Sequence, residues 1–340
     1  MRKAMLGLMV VGVALAVTPA AQAAETVVCG QNVDHSIVVD NDLTNCPTVG
    51  LETGANGITI DLNGHTIDGQ PGIAGIVVDN NDVTIKNGRI TGFLSGVSVH
   101  DANRATIKTL KIDTTTGFAI SIDETAPGAL VKGNLVRAWG TGTGILVQGQ
   151  GPRVISNGIG TGGNGGTGPA LHVDSASGVE VRDNTISGSG GNGIRMTFAD
   201  SNIISGNRVC GNENGVEVTT DSDSNVLADN LFCSNTQRGV VVSDATSKGN
   251  RLEANLITGN GQDGLRVTDA VNTAVVGNRA QSNESSGIAI EAAASTSKLK
   301  NNVANYNGSF GFQVMGSVVD LGGNKAKGNF LENCTGAISC

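Results

Sequence analysis

One short pattern recurs along this chain. It reads apolar-x-x-Asn-x-apolar, then a bend, then Gly-Φ-x-Φ, where Φ is apolar. Val181 to Ile186 with Gly193 to Met196 is one copy, and Leu227 to Phe232 with Gly239 to Val242 is another. The Asn slot reads Asn63, Gly88, Leu110, Asn134, Asn157, Asn184, Asn207, Asn230, Asn255, Asn278, Asn302 and Asn324, at spacings of 22–27 residues with a mean of about 23.7. A unit this short cannot bury its apolar face alone. It must stack on its neighbours, so the chain is constrained to a solenoid.

The kind of solenoid follows from the period within a unit. Val83-Thr84-Ile85, Ile90-Thr91 and Gly96-Val97-Ser98-Val99 alternate apolar and polar residues, the signature of strands with one buried face. No stretch has helix-length periodicity, and the Leu framework of leucine-rich repeats is absent. The expected fold is all-β: a single-stranded right-handed parallel β-helix of about twelve turns of 22–27 residues, each turn ~4.8 Å from the next. The recurrent Asn is expected at a bend, tolerating the left-handed conformation and bonding amides above and below it.

Composition agrees with this and removes other classes. Gly contributes 50 residues, hydrophobic residues 39% and charged residues only 15%, enough apolar material for a core and too little charge for a disordered chain. With only 22 Lys and Arg and a net charge of −8, bulk binding of nucleic acid is not expected. Aromatics are 3%, which disfavours extensive sugar stacking and leaves Trp139 as the one strong platform, or else a residue shielding the core.

Residues 1–23 read as a signal peptide: Arg2 and Lys3, an apolar stretch from Ala4 to Val17, and a small-x-small site at Ala21-Gln22-Ala23. The expectation is export to the periplasm or beyond, with residues 24–340 as one β-helix domain, no membrane span and a monomer. The six cysteines suit an oxidising compartment and fall in three local pairs, Cys29/Cys46, Cys210/Cys233 and Cys334/Cys340, without zinc-type C-x-x-C spacing. Cys210 and Cys233 each follow a slot Asn by three residues and stand one turn apart, so a bridge across stacked turns is expected.

Two stretches carry a family likeness: Cys29-Gly30 with Asp42-Leu43-Thr44-Asn45-Cys46-Pro47, and Gly57-Ile58-Thr59-Ile60-Asp61-Leu62-Asn63-Gly64-His65-Thr66-Ile67-Asp68-Gly69. In these, and in its repeat, the chain resembles the secreted right-handed parallel β-helix proteins of the pectate-lyase-like superfamily. That group includes alginate epimerases, polysaccharide lyases, polygalacturonases and a nitrous-oxide-reductase maturation protein. The resemblance implies the fold, and reads His65 as structural. The catalytic runs of the group are absent: no Asp-Pro-His-Asp, Gly-His-Gly, Arg-Ile-Lys or Arg-x-Pro-x-x-Arg occurs.

The outward positions of Gly-Φ-x-Φ-x form a surface column. Its middle collects Asp123, His172, Asp174, Arg195 and Glu217, beside a Gly-rich stretch from Gly158 to Gly168 in the longest turn. For an acidic sugar, Arg195 offers a cation for the carboxylate and His172 a base for the C5 proton. Asp174 either orients the imidazole or binds a cation such as Ca²⁺, and with Glu217 it alternatively forms a hydrolase pair. Asp123, Glu217 and Trp139 are the candidate substrate contacts. The bland reading is a solvated strand face. Three functions remain open: binding or modifying an acidic polysaccharide as a uronate lyase or C5-epimerase, a non-catalytic structural or adhesive envelope solenoid, and a periplasmic maturation accessory.

Overall fold

The computed structural model describes residues 23–113, 115–137, 139–160 and 166–340. The signal-peptide reading therefore lies outside the described residues but for its last position, and so does the middle of the Gly-rich stretch. What is described is a parallel β-helix of about thirteen turns, all strand and no helix. The difference from the expected twelve lies at the N-terminal end, where Ala24–Glu25 and Ile37–Val39 add turns before the repeat becomes recognisable.

Each turn contributes up to three short strands, and each strand pairs in parallel with its equivalent one turn away. Three columns result. The first includes Glu180–Arg182, Ile203–Ser205 and Val226–Ala228. The second includes Thr185–Ser187, Arg208–Cys210 and Leu231–Cys233. The third includes Leu171–Ser177, Ile194–Thr197, Val216–Thr219 and Val240–Val242. The apolar partner in each alternation points inward, giving one continuous core of Val, Ile and Leu. The Gly of Gly-Φ-x-Φ is fixed by crowding between turns. A Cβ at Gly239 would lie 2.4 Å from Ile257 Cγ2 and 2.6 Å from the Gly264 carbonyl oxygen.

The amide ladder is continuous from Asn134 to Asn324. In each step a buried Asn donates through its backbone N–H and its Nδ2 to the Oδ1 of the next, as Asn207 does to Asn230 at 2.9 and 3.0 Å. Nδ2 also donates back to a carbonyl of the turn before, as from Asn230 to Ile204 at 2.8 Å. Four details differ from the sequence reading. The left-handed residue is the one before the Asn, for example Asp183 at φ 58° and Asp229 at φ 56°. The Asn itself turns inward, where only a group that both donates and accepts satisfies stacked backbone. Asn63 is outside the ladder: two extra bend residues leave it exposed at φ 50°, and buried Leu62 fills the slot instead. Finally, the other two bends carry ladders of their own, Asn212 to Asn329 and Asn202 to Asn250.

All three cysteine pairs are disulfides, with Cα separations of 5.4 Å for Cys29–Cys46, 4.5 Å for Cys210–Cys233 and 6.4 Å for Cys334–Cys340. Such bridges persist in oxidising compartments. Among the described residues no helix is long and apolar enough to cross a membrane.

Candidate functional site

The outward column has the register that period-2 alternation predicts. Leu146, His172, Arg195, Glu217 and Val241 are successive partners on adjacent turns, and Asp174 pairs with Thr197. His172, Asp174 and Arg195 are therefore brought to one face. Asp123 is not drawn into that group, since its carboxylate accepts from the backbone N–H and Oγ1 of Thr125 and shapes its own bend. Trp139 is 0% exposed and lies wholly in the core, so it offers no face to a sugar. Glycines make room for it: a Cβ at Gly166 would lie 2.6 Å from its Cδ1 and one at Gly160 3.2 Å from its Cη2.

Two side chains absent from the sequence-based site complete it. The first is Thr197, 7% exposed. Its hydroxyl donates to Asp174 Oδ1 at 2.6 Å and lies 2.8 Å from His172 Nε2. A hydroxyl has one proton, and a carboxylate can only accept it. Thr197 Oγ1 must therefore accept from the imidazole, which places the ring proton on Nε2 and leaves Nδ1 as the basic nitrogen. Gln148 Nε2 donates to Asp174 Oδ2 at 3.1 Å and holds the other end of the relay. Burial holds the His172 pKa below its ordinary value, with Arg195 acting in the same sense and Asp174 opposing. The imidazole is thus neutral at neutral pH, the state a base requires.

Arg195 lies beside this relay. Its Nε is 3.5 Å from Glu217 Oε2, which in turn accepts from Asn192 Nδ2 at 2.7 Å. Asn192 Oδ1 accepts from Asn214 Nδ2 at 3.0 Å, so Glu217 sits at the end of an amide chain. Among the described residues the Arg195 guanidinium makes an ion pair and no hydrogen bond. Its planar donor fork remains unsatisfied by protein. Glu217 belongs to the Arg195 half of the cluster and Asp174 to the His172 half, and no contact joins the two carboxylates.

The second addition is Phe198. The third column kinks near its end, and the residue at the kink on successive turns is left-handed: Gly149 at φ 80°, Ser175 at 50°, Phe198 at 49° and Thr220 at 51°. This corner opens a cleft of about 520 Å³, lined by Glu124, Gln150, Ser175, Ser177, Phe198 and Asp200 among others. Ser175 and Phe198 directly follow Asp174 and Thr197, so the cleft begins where the relay ends. Among the described residues no three His, Cys, Asp or Glu groups converge to hold a metal ion.

Comparison with known proteins adds a family and several folds. The sequence pattern of the right handed beta helix region matches residues 128–278 and 245–339. No curated protein matches the sequence. Among solved structures, the chain is similar to the A-module of the Azotobacter vinelandii mannuronan C-5 epimerase AlgE6, with a TM-score of 0.66 at 14% identity over 91% of each chain. It is similar to the Dettilon tailspike protein, with a TM-score of 0.64 at 14% identity over 84% of this chain, and spans 62% of that longer protein. It is also similar to the periplasmic alginate epimerase AlgG, with a TM-score of 0.55 at 14% identity over 84% of this chain and 77% of the other. At such identities the likeness is one of fold.

Proposed function

Because the chain belongs to the right-handed β-helix family, of the pectate-lyase-like type, and therefore presents its polar side chains on a rigid stack of turns, we propose that it is an exported protein that binds and modifies an acidic polysaccharide, as a uronate lyase or C5-epimerase. The observation that carries this reading is the relay from Asp174 through Thr197 to His172, set beside an Arg195 whose guanidinium makes no hydrogen bond among the described residues. One of the similar structures is by name a mannuronan C-5 epimerase and another an alginate epimerase, which supports the substrate class.

In the proposed reaction Arg195 binds the uronate carboxylate, and its charge stabilises the enolate that forms when the C5 proton leaves. His172 Nδ1 takes that proton as Nε2–H stays donated to Thr197, and Asp174 stabilises the resulting imidazolium through the hydroxyl. From the enolate, expulsion of the C4 oxygen, which takes a proton from solvent water, gives an unsaturated uronate, and protonation of C5 by water on the opposite face gives the C5 epimer; in either case the His172 imidazolium returns its proton to the hydroxide left behind.

The test is incubation with a set of polyuronates, following the ultraviolet absorbance of unsaturated uronates and, by NMR, inversion at C5. Wild-type protein is expected to act on at least one polymer and Arg195→Ala on none, with Arg279→Ala, an exposed residue of the second column, unchanged. Full activity in Arg195→Ala would reduce this cluster to a solvated strand face.

A further inference from the structure

Phe198 breaks the local rule of its corner. The equivalent positions on the neighbouring turns hold Gly149, Ser175 and Thr220, small residues in a left-handed bend. A bulky aromatic there, at φ 49°, is a conformational outlier. Burial does not explain it, since Phe198 remains 54% exposed in a chain whose aromatics are otherwise scarce. Strain kept at a surface position without a packing gain marks a site where the side chain is needed for something else.

What surrounds it indicates the ligand. The cleft combines one aromatic face with hydroxyls at Ser175 and Ser177, an amide at Gln150 and carboxylates at Glu124 and Asp200, and none of its lining residues is Lys or Arg. An apolar face beside a ring of hydrogen-bonding groups matches a pyranose, which has a C–H face and an equatorial belt of hydroxyls. Carboxylates accept strongly from hydroxyls and repel another carboxylate. We infer that the Phe198 cleft binds an uncharged sugar residue stacked on the phenyl ring. The inference extends the acidic-polysaccharide reading and rests on it in one respect: with Arg195 nearby, the polymer is a heteropolysaccharide in which a neutral pyranose lies close to an acidic one.

Saturation-transfer NMR with short neutral oligosaccharides of gluco, galacto, manno and xylo configuration tests this on the intact protein. Wild-type protein is expected to bind at least one, with transfer concentrated on the C–H protons of one sugar face. Phe198→Ala should weaken that binding on the order of tenfold, and Phe198→Tyr should restore it. Phe198→Asn, which suits the left-handed bend, should also lose binding while keeping the wild-type melting temperature, which separates recognition from folding. Absence of neutral-sugar binding by wild-type protein overturns the inference, as does equal binding by Phe198→Ala. The polyuronate assay reads the Arg195 site with a different probe, so either proposal can fail while the other stands.

Discussion

His172 Nε2 stands 2.8 Å from Thr197 Oγ1, one turn further along the rod, and the direction of that hydrogen bond is fixed by the carboxylate behind the hydroxyl. In the proposed mechanism Thr197 positions the base and does not touch the substrate. On any polymer the protein modifies, Thr197→Val should lower kcat by at least about tenfold with KM little changed, and Thr197→Ser should restore it. A purely structural hydroxyl would show no such difference once both variants were folded.

Stability should carry the signature of the same imidazole. Burial holds the folded His172 pKa below the ordinary value, so the unfolded chain takes up that proton at higher pH than the folded one. The contribution is neutral above about pH 6.5 and becomes a penalty as pH falls from there through the depressed folded value. Urea titrations at about pH 7.5 and about pH 5 should show a smaller loss on acidification for His172→Gln than for the wild type. Equal losses would show that the ring is solvated in the fold.

The ladder predicts a contrast between two asparagines. Asn230→Ala leaves the Asn207 backbone N–H and Nδ2 without their acceptor and the Ile204 carbonyl without a donor, all buried. The expected cost is about 2–4 kcal/mol. Asn63→Gly, at an exposed left-handed position, should stay within about 0.5 kcal/mol. Chemical denaturation of the two variants measures both.

The Cys210–Cys233 bridge closes one turn, with a sequence separation of 23 and a Cα separation of 4.5 Å. Replacing both cysteines by Ala should cost about 3 kcal/mol in the chain-entropy picture. Alkylation of the unreduced, unfolded wild type should label neither residue.

The parts of this molecule legible in the sequence are those governed by repetition. The 22–27-residue spacing gives the solenoid, and period-2 alternation gives the face shared by His172, Asp174 and Arg195, because both are properties of backbone geometry that side-chain identity only reports. What repetition does not encode was misread or missed. Asn63 sits in an Asn-Gly-His run that mimics the slot, and only the longer bend shows that Leu62 occupies it. Thr197 occupies an outward position two residues after Arg195 but carries no visible role in the sequence, since a hydroxyl becomes a relay only once its two partners are in reach. Trp139, read from the sequence as either a sugar platform or a shield for the core, proves to be the shield, and Phe198 goes unremarked there because an aromatic in a bend reads the same whether it turns in or out.

The three asparagine ladders make the rod a graduated object. From Asn134 to Asn324 each turn is tied to the next at one corner or more, so a surface residue there has an address made of a column and a turn number. Moving a group by one unit shifts it ~4.8 Å along the axis without changing its orientation. A duplicated or deleted unit with its ladder asparagines intact would therefore slide everything beyond it by one graduation and leave each local constellation whole. Function in such a molecule can be edited in discrete steps: Arg195, Thr197 and Phe198 share one mark of the ruler and His172 and Asp174 the mark before it, so only an edit between those two marks parts the relay, and it does so by whole turns.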